Sequence, residues 1–294
     1  MDDLSDRSKK LYDYYLDRLR KHFKVPACDV SFLLNPGPVL DHIESLNLAL
    51  NSKKMFYITI YSYLKRLEDT RFTTEIKKQY KAKMDEYNKR QQEHYETQEM
   101  TETEKAKYLH WYEIEEARIK AWNDVEDYFT FQNYLILCLY TMNAPVRLDY
   151  ANMIVVKEEV EGDTNLFVWN EKDCYFLFRE YKTAKRYGAV RIPVSEDLKV
   201  VLEYWRENFN PDPYGGFLLY DKYGDSKPMS EANLGQTIIK IFKKFTGKAC
   251  SLNTLRHSYV NKMREGETPF LEQKKVADSM MHSVGVSVVV YKKN

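Results

Sequence analysis

The sequence predicts a mainly α protein. An all-helical N-terminal domain, residues 1–105, precedes an α+β domain, residues 106–294, with a small antiparallel sheet. Three observations predict it. Apolar residues recur at helical spacing through the N-terminal third, four short runs rich in β-branched and aromatic residues lie between 153 and 194, and helical spacing returns after Ser195.

Residues 5–23 place Leu11, Tyr12, Tyr15, Leu16, Leu19 and Phe23 on one helical face. Asn35-Pro36-Gly37-Pro38 is a breaker, and a helix through Ile43, Leu46 and Leu50 is expected just after it. Ser52 is suited to cap a further helix with Phe56, Ile60, Tyr63, Leu64 and Leu67 on one side. Residues 72–98 are highly charged and predict a long exposed helix, and Thr101–Glu104 has the residues of a helix start. The domain boundary is expected between Glu99 and Trp111. Residues 128–142 form an apolar helix. Strands follow at Met153–Val156, Leu166–Trp169, Cys174–Phe178 and Val190–Val194, the last reached through a turn containing Gly188. Helices are expected at 196–208, 230–246, 252–264 and 270–281.

With 44% hydrophobic and 30% charged residues, a packed core is expected and wholesale disorder is not. Net charge is only +1, but phosphates respond to local fields. Locally the charges segregate: 240–264 contains Lys240, Lys243, Lys244, Lys248, Arg256, Lys262 and Arg264 without an acid, whereas 113–127 is net acidic. The cysteines, at 28, 138, 174 and 250, are scattered, which argues against a zinc site or disulfide framework; no metal or cofactor is expected. The longest apolar run, Tyr134–Tyr140, is too short to span a bilayer, and no signal-peptide pattern opens the sequence. A soluble intracellular protein is expected.

Five chemistry-bearing segments stand in order. Arg147 lies in Pro145-Val-Arg-Leu-Asp-Tyr150, and Lys182 in Tyr181-Lys-Thr183 between two strands of an expected hairpin. Arg256 lies in Leu252-Asn-Thr-Leu-Arg-His-Ser258. His282 and then Tyr291 follow. This series resembles that of the tyrosine recombinase, or phage-integrase, family: Arg, hairpin Lys, His-x-x-Arg, His or Trp, then Tyr. The Pro-Val-Arg-Leu-Asp-Tyr and Tyr-Lys-Thr segments are similar to versions in large DNA viruses, virophages and mobile elements of eukaryotes. The segment from Leu33 to Arg66 resembles the family's helical core-binding domain, which clamps DNA opposite the catalytic domain.

The resemblance implies a site-specific recombinase acting on duplex DNA through a 3′-phosphotyrosyl intermediate, as a homotetramer on two DNA sites. It also implies a host nucleus or viral factory as location. Tyr291 is then the nucleophile, Arg147 and Arg256 clamp the phosphate, Lys182 protonates the leaving 5′-oxygen, and His282 assists at the phosphate. On a helix, Asn253 and Arg256 share a face, so one phosphate is expected to touch both. Asp149 is expected to orient Arg147 or the nearby backbone, and Lys185, Arg186, Lys240, Lys243, Lys244 and Lys248 to contact DNA.

The sequence departs from the family in places. Asn253 stands where the family has its first His, and it can donate to a phosphate but cannot act as acid or base. His257 is no simple substitute, being about 100° round the helix from Arg256. The family's acid after the first Arg is one position later than Asp149. Only Lys292, Lys293 and Asn294 follow Tyr291, where many members have a further helix. Two other functions therefore remain open: a type IB topoisomerase-like enzyme, and a DNA-binding protein without cleavage. Each residue also has a plainer use. Tyr291 is one of 24 tyrosines, Arg147 suits a helix C-terminus, Lys182 sits among Arg179, Lys185 and Arg186 with Lys172 as a rival on the same sheet, and His282 suits a core.

Overall fold

The computed structural model describes residues 4, 6–221, 227–265 and 269–293. Residue 5, the first of the expected N-terminal helix, lies outside them. The chain divides into two compact units, residues 1–97 and 98–294.

In the first unit, α1 (Asp6–Phe23), a 3₁₀ turn (Ser31–Leu34), α2 (Pro36–Ser45), α3 (Leu50–Arg66) and α4 (Thr74–Thr97) surround a core that includes Leu19, Leu33, Ile43, Phe56, Ile60 and Leu64. The Pro-Gly-Pro segment begins α2 rather than preceding it, because proline's fixed φ suits the first helical position and its missing N–H would be unpaired there anyway. That helix ends at Ser45, and α3 starts at Leu50 with Ala49 as N-cap, so Ser52 is not the cap. α4 is not simply a solvated helix. Tyr80 and Tyr87 are buried on one face, and Tyr80 Oη donates to the Leu33 carbonyl (3.1 Å). Two tyrosines seven residues apart fix that face against α3, a signal masked by the surrounding charge.

The second unit opens with the capping box Thr101–Glu104 on the short α5 (Glu102–Lys105). α6 (Trp111–Asn123) follows, a helix not expected from the net acidic 113–127 stretch; its buried face is Trp111, Ile114, Ala117 and Ala121. α7 (Tyr128–Thr141) is buried along most of its length, capped by Asp127. The sheet order is β1 (Ile154–Val156), β2 (Leu166–Trp169), β3 (Cys174–Phe178), β4 (Val190–Pro193). It is mixed rather than antiparallel: β1 runs parallel to β2, with Ile154 opposite Leu166, while β2–β3 and β3–β4 are antiparallel. Strand composition does not encode direction. Here the 157–165 loop returns the chain to the start of β1, and the other edge of β1 is covered by bonds from Gly215 N to Val155 O (2.8 Å) and Leu218 N to Met153 O (2.9 Å).

The remaining elements are α8 (Ala184–Tyr187) in the β3–β4 connection, α9 (Glu196–Phe209), α10 (Glu231–Thr246), α11 (Leu252–Lys262), α12 (Phe270–Ser279), α13 (Val284–Val286) and a π-helical turn Ser287–Tyr291. The core runs from Leu109 through α7, the sheet, α9 and α10 to Leu255 and Met281. Residues 98–105, assigned from sequence to the first domain, fall in this unit, where Gln98 Nε2 donates to the Val288 carbonyl (3.1 Å). Among the described residues no helix is long and apolar enough to cross a membrane.

Candidate functional site: a buried cationic cradle

Arg256 sits in the second turn of α11, which is N-capped by Ser251. It is only 1% exposed. One terminal nitrogen donates to the Pro145 carbonyl, just before Arg147, and the other to the Met280 carbonyl (3.3 Å) at the end of α12. Burial pulls its pKa down, Tyr291 opposes that, and the neighbouring Arg147 adds to the lowering.

His282 is aimed by the end of α12. Met281 takes a left-handed conformation (φ 54°), its N–H bonds Asp278 O (2.9 Å), and His282 N–H bonds Ala277 O (3.0 Å). These are the two bonds of a Schellman motif, a place where glycine is usual. A non-glycine residue there costs roughly 1 kcal/mol; burial of the Met281 side chain offsets it. His282 is 5% exposed, and its Nδ1 lies 3.2 Å from the Ser283 carbonyl oxygen. Burial first, then Arg256 and Arg147, hold its pKa down at about 4, so the ring is neutral at pH 7. A proton on Nδ1 lets it donate to that carbonyl, leaving a lone pair on Nε2.

Tyr291 closes the cluster. It is 5% exposed; its ring lies 4.7 Å below the Arg256 guanidinium and stacks on His282 (centroids 5.1 Å, planes 18° apart). Asp149 Oδ2 accepts from the Arg147 backbone N–H (3.1 Å), and burial raises its pKa to about 6 against the pull of Arg147. Tyr140 Oη donates to the Arg147 carbonyl (2.8 Å), fixing the same loop from α7.

Among the described residues, five carry a buried side-chain nitrogen or oxygen with no hydrogen-bond partner. Three of those atoms are Arg147 Nη1, Arg256 Nε and His282 Nε2; the other two, on Thr59 and Trp205, lie outside this cluster. Buried polar groups are ordinarily paired, and an unpaired one costs about 1–3 kcal/mol, more for a charged group. Three such atoms, on two guanidinium groups and an imidazole, make a cluster whose chemistry suits an anion.

The other residues singled out from sequence are placed differently. Lys182 is exposed, outside the buried cluster, in the β3–β4 connection; Thr183 beside it donates to the Met281 carbonyl (3.3 Å). Lys185 and Arg186 are exposed on α8. Asn253 does not share Arg256's surroundings. It is exposed and its amide lies 3.3 Å from His257 Nε2, beside a pocket of about 210 Å³ also lined by Glu104, Tyr108 and Lys293. His257 in turn lies 2.8 Å, through Nδ1, from the Tyr291 carbonyl oxygen. The basic run is partly neutralised: Lys244 pairs with Asp124 (2.5 Å) and Lys248 with Glu113 (3.1 Å), while Lys240 and Lys243 are exposed without an ion pair among the described residues.

Sequence reasoning missed Asn261. Its amide donates to the Lys293 carbonyl (2.9 Å) and accepts from the Lys293 N–H (3.0 Å), so it grips the backbone just past Tyr291. Nothing in the spacing marks it, because its partner lies 32 positions away.

No protein-family model matches the chain, and no curated protein matches it.

Proposed function

We propose that the chain cleaves and rejoins duplex DNA as a site-specific tyrosine recombinase, with Tyr291 as nucleophile. The observation that carries this reading is the clustering of three unpartnered buried nitrogens, on Arg147, Arg256 and His282, with Arg256 and His282 lying against the ring of Tyr291. A phosphodiester is an anion suited to these donors, and its transition state gathers further negative charge on the oxygens that the guanidinium groups would meet.

Cleavage then proceeds in one displacement. Tyr291 Oη bonds to phosphorus, the bond to the 5′-oxygen breaks, and its electron pair leaves with that oxygen. Lys182 Nζ gives the oxygen a proton, and the phenolic proton passes to His282 Nε2. Protonated, His282 becomes a donor to the phosphate. The reverse steps rejoin a strand, with no external energy source, because the phosphotyrosyl bond retains the energy of the one broken. Recombination by this route needs two DNA sites and four copies of the chain, one nucleophile per strand.

A nicked suicide duplex tests the chemistry. The expected result is a covalent protein–DNA adduct mapping to Tyr291 and lost in Tyr291→Phe. An adduct that persists in that variant, or none from the unaltered protein on any duplex, overturns the reading. Recombinant products from two supplied sites, rather than relaxation of a supercoiled circle alone, separate strand exchange from topoisomerase action.

A further inference from the structure

Asn165 ends the loop that leads into β2, and it is buried. Its side chain has two N–H donors and one oxygen with two lone pairs. All four are used. Nδ2 donates to the Asp149 carbonyl (3.0 Å) and the Glu180 carbonyl (2.9 Å), and Oδ1 accepts from the N–H groups of Arg179 and Glu180 (both 2.8 Å). One amide therefore joins two backbone segments that are distant in sequence. One begins two residues after Arg147, and the other ends two residues before Lys182.

The far side of the Lys182 turn is held separately. Thr183 Oγ1 donates to the carbonyl of Met281, the residue that aims His282. Tyr181 is buried, and its hydroxyl closes the turn on the Gly188 carbonyl (2.7 Å). Lys182 itself is exposed, with no side-chain partner among the described residues. Its reach is thus set by its backbone, and small displacements of a catalytic group are costly.

We infer that Asn165 and Thr183 are positioning residues that set where Lys182 meets the leaving oxygen of a phosphate held by Arg147 and Arg256. The inference rests on the reading proposed above. In that step the phosphorus–oxygen bond breaks, the electron pair goes to the 5′-oxygen, and Lys182 Nζ supplies the proton and becomes a neutral amine. An alkoxide leaves poorly without that proton, its acid being about as weak as water. A thiolate, whose acid has a pKa of about 8.5, leaves without it.

The test uses two suicide duplexes, identical except for oxygen or sulfur at the bridging 5′ position. The unaltered protein is expected to trap both. Lys182→Ala is expected to lose about a hundredfold on oxygen and little on sulfur. Asn165→Ala and Thr183→Val are expected to show the same signature at smaller size, about tenfold on oxygen and under about threefold on sulfur. Equal losses on the two substrates, or no loss on oxygen, overturn the inference, because a bracket serving only the fold or the phosphate clamp does not discriminate the leaving atom. If Asn165→Ala fails to fold, Thr183→Val, which replaces one half-buried hydroxyl, decides the matter alone. If the unaltered protein traps neither duplex, the recombinase reading itself has failed and the bracket falls with it.

Discussion

Each unit of the chain has a polar cluster, half-buried in the first and buried in the second, and the two are built oppositely. In the first unit Glu44 accepts from Tyr57 Oη (2.9 Å) and Tyr87 Oη (2.7 Å), with Lys83 at 3.7 Å. Burial alone raises the pKa of that carboxyl, but the two hydroxyls and the lysines outweigh it and bring it below the ordinary value. In the second unit burial and the nearby Arg147 lower the pKa of Arg256, burial and both arginines lower that of His282, and each of the three side chains retains an unpaired nitrogen. The first cluster is complete as it stands. The second leaves three nitrogens unmatched within the chain, the kind of cost that folds tolerate mainly at functional sites.

The largest test of this contrast pairs one substitution in each cluster. Arg256→Met is expected to lower DNA cleavage by a hundredfold or more, since a charge-stabilising donor is removed. Its folding stability is expected to move by no more than about 1 kcal/mol, because two lost hydrogen bonds are offset by removal of a desolvated cation. Glu44→Ala is expected to cost about 2 kcal/mol of stability in urea titration, by leaving two tyrosine hydroxyls unpaired. Should Arg256→Met destabilise as much as Glu44→Ala, with cleavage falling only as the folded fraction falls, the cradle is structural and the contrast is void.

Acid sharpens the comparison. The pKa of His282 is about 4 in the folded chain against an ordinary 6.5, so the unfolded chain takes up that proton first as pH falls. This residue's contribution is present above pH 6.5 and is lost on descent through 4. Asp149 behaves oppositely: at about 6 against an ordinary 3.8, the folded chain protonates first, and stability is gained as pH falls through 6. In the unaltered protein the two effects oppose each other. Relative to it, His282→Gln is expected to gain about 2 kcal/mol between pH 7 and pH 5, and Asp149→Asn to lose about 1 kcal/mol. Denaturant titrations at the two pH values check this, and parallel shifts for all three proteins would exclude it.

How much of this was legible differs between the clusters. The residues of the cradle were readable because Arg147, Arg256, His282 and Tyr291 stand in a recognisable order, although the last lies 144 positions after the first. The device that aims His282 was not, since a left-handed methionine after a helix has no sequence mark. Asn165 and Asn261 were missed for a related reason: both bind backbone far away in sequence, and an asparagine's partners are set by topology. Helices with strong apolar spacing were placed well. The many charges of α6 mask its buried face, and the direction of β1 is beyond what strand composition encodes. In the first unit Glu44 gave no hint of its role, since the tyrosines that complete it come from two other helices.

The smallest expected effect extends the same distinction to the surface. From sequence, the lysines of α10 and its C-terminal flank form one basic run. In the fold, Lys248 donates to the Tyr108 carbonyl and to Glu113 (both 3.1 Å), and Lys244 is paired with Asp124, so α6 and its C-cap neutralise part of the run. A lysine already paired with a carboxylate brings less net charge to a phosphate and must first give up its partner. Lys240→Ala and Lys243→Ala are therefore each expected to reduce the slope of log affinity against log salt by about 1, and Lys244→Ala and Lys248→Ala by well under half of that. Binding isotherms to one duplex between about 50 and 200 mM salt measure it. If Lys248→Ala changes the slope as much as Lys240→Ala does, pairing with α6 does not withhold a lysine from DNA, and the line between completed and uncompleted charges holds only in the buried cradle.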